Sequence, residues 1–326
     1  MTGTIAERAE GLATSGRRQD ALRLLKDAGR RGNVDALYAL AVWHLIGERV
    51  RRDLFAARHY LRQAIAIGHV DAALMEIALT ANGGGGQADW GRAVALLRMA
   101  AANDPLAAEH LALIEAMALD ACGAPMAGAT AEPVSASPDA RLFRALLTPA
   151  ECAHIATTAR DMLEPASVVD PATGRFVAHP VRTSHSAVIG PARETLVVQA
   201  INRRLAAASG TDVTQGEPLT VLHYAPGQQY RPHHDALPPQ IARGNQRVLT
   251  MLAYLNQGYE GGETRFTPNG PIVRGRAGDV LMFANVRPDG APDPAAQHAG
   301  LPVTRGAKWL ATRWIRALPY DPWALT

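Results

Sequence analysis

A period of 36 residues runs through the first third of the chain and restricts its fold more than any other feature. Ala21, Ala57 and Ala93 stand 36 apart, as do Leu25, Leu61 and Leu97, and Ala28, Ala64 and Ala100. Lys26, Arg62 and Arg98 keep the interval, Asp35-Ala36 returns as Asp71-Ala72, and Gly32 returns as Gly68. Within each unit apolar residues fall at i, i+3, i+4 and i+7, the spacing of one face of an amphipathic helix. A repeat of this length predicts stacked helix pairs that bury a common face, with small alanines where the helices approach closely. The insertion GGGGQAD at 83–89 takes the place of a tidy inter-helix turn. His44, His59, His69 and His110 lie in these helices without a partner at metal-ligand spacing and read as surface or packing residues.

The repeat gives way at 122–140 to CGAPMAGATAEPVSASPDA, which has no basic residue and no periodicity. That composition predicts a flexible linker with stiffer proline points. The expected division is therefore a helical domain over 1–121, a linker over 122–140 and a second domain over 141–326. A chain of 326 residues has room for about two such domains.

Charge and cysteine usage exclude several classes of function. Residues 1–121 carry 14 basic and 14 acidic side chains, and residues 141–326 carry 19 and 14. An excess so small and scattered suits a solvated surface or an anionic small ligand, not a nucleic-acid groove. Cys122 and Cys152 stand outside any C-x-x-C pattern, which argues against a zinc site or a disulfide framework and for a reducing compartment. The N-terminal text MTGTIAERAEGLATSGRR has no apolar h-region, and no run of 18 apolar residues follows, so the expected location is cytoplasmic, away from membranes.

Beyond residue 141 the pattern changes. LTPAECAHIATTARDML has helix spacing, with Thr148 as N-cap, Pro149 in the first turn and Glu151 at the capping-box position. PARETLVVQAINRRLAAASG reads as a second helix closed by Gly210. Short β-type runs follow: LTVLHY, RVLTMLAYLN, TRFTP, PIVRG, DVLMFAN and KWLATRWIRAL. Many short strands after two helices predict a sheet sandwich or jelly roll with helices packed outside.

Three residues in this half carry chemistry. In LHYAPGQQYRPHHDALPP, His233 and Asp235 share one face of an extended segment while His234 points away. His298 follows more than sixty residues later. A close His-x-Asp pair with one distant histidine is the donor set of a facial triad, which holds iron(II) and leaves positions open. By the same alternation His223 would fall on the face of His233. His154, His179 and His185 show no spacing to a second ligand and read as structural; the roles of His223 and His234 stay open.

The ordered set of motifs around this triad resembles the signature of prolyl 4-hydroxylases, a branch of the 2-oxoglutarate- and iron(II)-dependent dioxygenases. It comprises Tyr224-x-x-Gly227-x-x-Tyr230-x-x-His233-x-Asp235, Arg182-Thr183-Ser184, RVLTMLAYLN, Gly261-Gly262-Glu263-Thr264, Gly278-Asp279, and His298-x9-Lys308-Trp309. The N-terminal period is similar to Sel-1-like repeats, relatives of the tetratricopeptide repeat. Together these imply an all-α helical repeat (a solenoid) followed by a double-stranded β-helix, or jelly roll, with flanking helices.

The resemblance implies that His233, Asp235 and His298 ligate iron. It implies that Lys308 pairs with the distal carboxylate of 2-oxoglutarate, helped by Tyr224 and Thr264, and that Tyr230, Arg247 and Trp314 contact substrate. The implied cofactors are Fe(2+), 2-oxoglutarate and O2, with L-ascorbate binding as a further expectation. The implied reaction converts 2-oxoglutarate to succinate and CO2 while hydroxylating a C–H bond of a prolyl residue. Lys308 is one of only two lysines among 33 basic residues, and a dianion entering a buried site needs a cation at its far end. Other readings remain at this level: hydroxylation of another residue or a free amino acid, a repeat-based binding protein with a vestigial barrel, or a cupin without oxidative chemistry. The expected partner is a protein or peptide substrate recruited by the repeats, with neither nucleic acid nor membrane involved.

Overall fold

The computed structural model describes residues 3–169, 176–178, 181–267 and 269–323. It separates into two compact units, one of 1–124 with 191–200 and 323–326, the other of 125–190 with 201–322.

Among the described residues of its segment up to 124, the first unit carries seven helices in sequence: α1 (Ile5–Thr14), α2 (Arg18–Arg30), α3 (Val34–Ile46), α4 (Leu54–Ala66), α5 (Val70–Asn82), α6 (Trp90–Ala101) and α7 (Pro105–Ala116). The starts of α2, α4 and α6 at 18, 54 and 90 reproduce the sequence period, and so do those of α3 and α5. The repeated Ala21, Ala57 and Ala93 and Leu25, Leu61 and Leu97 are all fully buried. Capping repeats too: Asp53 and Asp89 accept from the backbone N–H groups of Ala56 and Arg92, as Asn33 and His69 do from Ala36 and Ala72. His69 thus serves as a helix cap and His44 stacks on Tyr60, both structural uses.

The second unit begins earlier than expected. The stretch read as a flexible linker carries β1 (Ala131–Ala136), which forms an antiparallel hairpin with β2 (Asp139–Phe143). This corrects both the linker and the boundary at 141. AEPVSA shows no hydrophobic alternation because β1 is a largely exposed edge strand whose order comes from pairing with β2. Next comes α8 (Pro149–Ala159), opened by the expected capping box, in which Thr148 and Glu151 each accept from the other's backbone N–H. The second expected helix, α9 (Leu196–Ser209), stops before Gly210, whose φ of +68° is the left-handed value that ends helices.

The remaining strands are β3 (Glu164–Pro165), β4 (Ser167–Val169), β5 (Phe176–Ala178), β6 (His185–Ile189), β7 (Leu219–Tyr224) and β8 (Tyr230–His233). They continue with β9 (Arg247–Tyr254), β10 (Glu260–Gly261), β11 (Thr264–Phe266), β12 (Ile272–Val273) and β13 (Val280–Ala284). Last come β14 (His298–Gly300), β15 (Val303–Arg305) and β16 (Lys308–Arg316). One sheet has eight strands in the order β1-β2-β13-β9-β16-β7-β6-β3, and a second has four in the order β12-β11-β14-β8. Their inner faces meet in one apolar core, to which the larger sheet gives Leu142, Leu222, Leu252, Leu281 and Leu310 and the smaller gives Phe266 and Val273. This is the expected jelly roll, and the six β-type runs of the sequence fall on β7, β9, β11, β12, β13 and β16.

Candidate active site

The three residues singled out from the sequence converge in one cavity between the sheets. His233 ends β8 and His298 opens β14, and the two are direct cross-strand partners. Asp235 lies two residues past the end of β8, and its carboxylate is 3.8 Å from Nε2 of each histidine. One ligand atom from each of the three residues lies within 4.8 Å of the others. Nδ1 of His233 is 2.9 Å from the Arg231 carbonyl, and Nδ1 of His298 is 3.0 Å from that of Ala296. A carbonyl can only accept, so both Nδ1 atoms carry the proton and both Nε2 lone pairs remain for a metal.

Electrostatics favour the same protonation at His233. Burial, reinforced by His298, holds His233 far below the usual histidine value, at about 3. Burial would raise Asp235, yet His298, His233, Arg247 and the Thr250 hydroxyl together hold it below the ordinary carboxylate value. Two imidazoles presenting Nε2 and an ionised carboxylate on one side of a cavity fit a divalent iron with its other side open.

The same cavity is closed at its other end by Lys308, which is 1% exposed. It opens β16 directly opposite Tyr224 of β7. Its ammonium donates to the Gly262 carbonyl and lies 5.5 Å and 5.7 Å from the ring centroids of Tyr224 and Tyr254. Gly262 is required for this approach: its φ is +68°, and a Cβ there would meet Lys308 Cδ at 3.0 Å. Among the described residues no carboxylate forms an ion pair with Lys308, and the nearby Glu263 is 3.5 Å from Arg274. Burial therefore pulls the Lys308 ammonium down to about 7, with Glu263 only partly opposing.

The expected helpers and substrate contacts divide. Tyr224 and Thr264 both line the cavity, and Thr264 Oγ1 accepts from the Tyr254 hydroxyl at 3.0 Å. Tyr230 also lines it, stacked on His233 with ring centroids 3.4 Å apart, and Arg182 sits 5.0 Å from the Tyr230 ring. Trp314 lines it as well, with a buried indole N–H that has no partner among the described residues. Arg247 is engaged elsewhere: Nε and Nη2 each reach Glu217 at 2.7 Å, and the guanidinium lies 3.8 Å over the Trp314 ring.

The remaining histidines stand apart. His234 is exposed, and His154 lies on α8. His223 is on β7, next to Trp309 at 4.6 Å and opposite His185 in register. It does not share a face with His233, because β7 and β8 belong to different sheets. His179 lies outside the described residues.

Sequence reasoning missed Thr250, Tyr254 and Asn285. Thr250 Oγ1 is 2.7 Å from Asp235 Oδ2, and Asn285 Nδ2 is 2.9 Å from Thr250 Oγ1. The signal for the first two lay in RVLTMLAY, where Thr250, Leu252 and Tyr254 fall on one face by the period of two. The same alternation brings Lys308, Leu310, Thr312 and Trp314 of β16 to the cavity.

Comparison with known proteins agrees with this geometry. The 2OG-Fe(II) oxygenase superfamily model matches residues 219–316. Prolyl 4-hydroxylase 1 of Arabidopsis thaliana is 38% identical over 201 residues, covering 57% of this chain and 71% of that protein. Probable prolyl 4-hydroxylase 3 of the same plant is 34% identical over 210 residues, with coverage of 58% and 73%. Among solved structures, a viral collagen prolyl hydroxylase from Paramecium bursaria Chlorella virus-1 in complex with 2OG is 26% identical, covers 55% of this chain and 96% of its own, and gives a TM-score of 0.44. The chain belongs to the prolyl 4-hydroxylase family of 2OG-Fe(II) oxygenases and is a dioxygenase that uses iron(II), 2-oxoglutarate and O2.

Proposed function

We propose that this dioxygenase hydroxylates a prolyl residue of a protein or peptide, with iron(II) on His233, Asp235 and His298 and 2-oxoglutarate anchored on Lys308. The observation that carries the reading is the pairing, in one cavity, of a complete donor set with a buried lysine that has no ion-paired carboxylate among the described residues. Iron(II) held there supplies the chemistry that couples decarboxylation of the cosubstrate to hydroxylation of a C–H bond. The protein's own tasks are to bind and orient. The Nδ1 donations of His233 and His298 to carbonyls aim two Nε2 lone pairs at one point. Lys308 meets the far carboxylate, with Tyr224 and the Tyr254–Thr264 hydroxyl pair around the same end. Tyr230 and Trp314 line the metal-side walls and flank the segment to be oxidised, with Arg247 behind the Trp314 ring. An intact triad and an intact Lys308 argue against a vestigial barrel, and a cupin without a keto acid would leave Lys308 without purpose.

The test is succinate release from 2-oxoglutarate with Fe(II), on proline-containing peptides and on free amino acids, alongside a search of cell extract for proteins gaining 16 Da, the mass of one oxygen. A gain on proline that disappears when that proline is replaced supports the proposal. Turnover on a free amino acid, with none on peptides, would overturn the substrate class.

The helical repeat is the candidate for selecting the protein that carries the target. Phe55 and Met99 on its helices are 75% and 70% exposed, so both side chains are free to be touched by a partner. Phe55→Arg and Met99→Glu should lower the rate on an intact target several-fold and leave the rate on a short peptide unchanged. Equal rates on both would remove the repeat from substrate selection.

A further inference from the structure

The Asp235 carboxylate is one end of a hydrogen-bonded line that runs away from the cavity. Its Oδ2 lies 2.7 Å from Thr250 Oγ1 on β9, and Thr250 Oγ1 lies 2.9 Å from Nδ2 of Asn285, just past β13. Thr250 and Asn285 are each 1% exposed, so water does not compete for these bonds. The direction of the line follows from proton counting. An ionised carboxylate only accepts, so the single hydroxyl proton of Thr250 goes to Asp235. That proton is then spent, and Asn285 must present its amide N–H2 to Thr250. The side-chain orientation of Asn285 is thus set by the charge at the other end. Its backbone is pinned as well, since its N–H donates to the Val248 carbonyl and its carbonyl accepts from the Asp293 N–H.

One detail shows that the donor end matters more than the fit. The Asn285 Oδ1 atom is buried and has no partner among the described residues. A buried amide with one unsatisfied half is unfavourable compared with an apolar residue of the same shape, unless its other half is needed. The needed half is the N–H2 that orients Thr250.

We propose that Thr250 and Asn285 are positioning residues for the metal: the line Asn285→Thr250→Asp235 fixes the carboxylate so that it ligates from a preset orientation, with one oxygen already committed to the hydroxyl. Neither residue touches the metal; both act through Asp235. The inference rests on Asp235 as a ligand, and partners of this kind typically change metal affinity by about 10–100-fold when removed.

The test reads metal affinity without turnover. Metal-free protein is titrated with Co(II), followed by its visible absorption, and with Mn(II), followed by the loss of the free-ion electron paramagnetic resonance signal. Thr250→Val, which keeps the shape and removes the hydroxyl, should weaken both ions by about 10–100-fold. Thr250→Ser should restore affinity to near the native value. Asn285→Ala should weaken binding too, and the double variant should be no weaker than Thr250→Val alone, because Asn285 acts only through the hydroxyl. Native affinity in Thr250→Val, or additive losses in the double variant, would overturn the proposal. If Thr250→Val does not fold, Asn285→Ala and its comparison with Thr250→Ser decide the matter on the same readout. Asp235→Ala separates the two levels: loss of binding there with native affinity in Thr250→Val rejects the line alone, whereas native affinity in Asp235→Ala rejects the site itself.

Discussion

The two ends of the cavity treat buried charge in opposite ways. At the metal end a carboxylate, 7% exposed, is surrounded by two imidazoles and accepts from the Thr250 hydroxyl. Its negative charge is provided for before any ligand arrives, and its pKa stays below the ordinary value. At the other end an ammonium, 1% exposed, has a carbonyl, two aromatic rings and, among the described residues, no paired carboxylate. Burial wins there, and the lysine falls to about 7. The metal end is a finished site for a cation, and the Lys308 end is half of an ion pair whose other half is the cosubstrate. A buried charge without a partner is unfavourable enough that its retention points to a ligand.

The largest expected effect falls at the finished end. Asp235→Ala removes one donor of three from an open-sided site, so succinate formation should fall to background; turnover at the native rate would rule Asp235 out as a ligand. The lysine comes next. Lys308→Ala should raise the dissociation constant for 2-oxoglutarate tenfold or more, about 1.4 kcal/mol or greater. Lys308→Arg should also bind poorly although it keeps the charge, because a forked guanidinium does not fit where one ammonium reaches the Gly262 carbonyl. Titrations in which both variants match the native protein would dissolve the contrast between the ends.

A smaller effect separates the ends through pH. The anionic cosubstrate binds the protonated lysine, so affinity should be flat below the value of about 7. Above it, affinity should weaken by up to about tenfold per pH unit, since the proton must be taken up on binding. In the ligand-free protein the sign is reversed for stability. The unfolded chain binds more protons between about 7 and the ordinary lysine value of 10.5, so stability should rise with pH across that window. The smallest effect follows from the same logic: Lys308→Met should raise the melting temperature of the ligand-free protein by a few degrees, about 2–4 °C per kcal/mol gained. A lowered melting temperature would mean that Lys308 is compensated after all.

The sequence made the two ends legible to different degrees. His233, Asp235 and His298 could be read from residue type and spacing, because the donor set is narrow and two of its members are adjacent on one chain segment. Lys308 stood out in a chain that writes all but two of its 33 cations as arginine. What surrounds them was hidden. Tyr254 and Thr250 within β9 and Asn285 just past β13 are ordinary residues in or beside apolar strands, and their roles depend on which strands become neighbours, which no local pattern states. Arg247 shows the converse, since its pairing with Glu217 thirty residues away was invisible in the text. The helical repeat was the most readable part of the fold, because each unit restates the same buried alanines and leucines. The hairpin of β1 and β2 was the least readable, because an exposed edge strand has no apolar stripe to show.

The claim that the cavity lacks one half of an ion pair can be tested by counting protons. Calorimetric titration of the Mn(II)-loaded protein with 2-oxoglutarate at pH 8, in buffers of different ionisation enthalpy, gives the number taken up per binding event. With the triad holding Mn(II) and the cavity tyrosines pushed above their usual value by burial, Lys308 is the group on the walls placed to change its charge. The expected uptake is close to one proton for the native protein and close to zero for Lys308→Met. Binding of 2-oxoglutarate by the native protein with no proton uptake would contradict it.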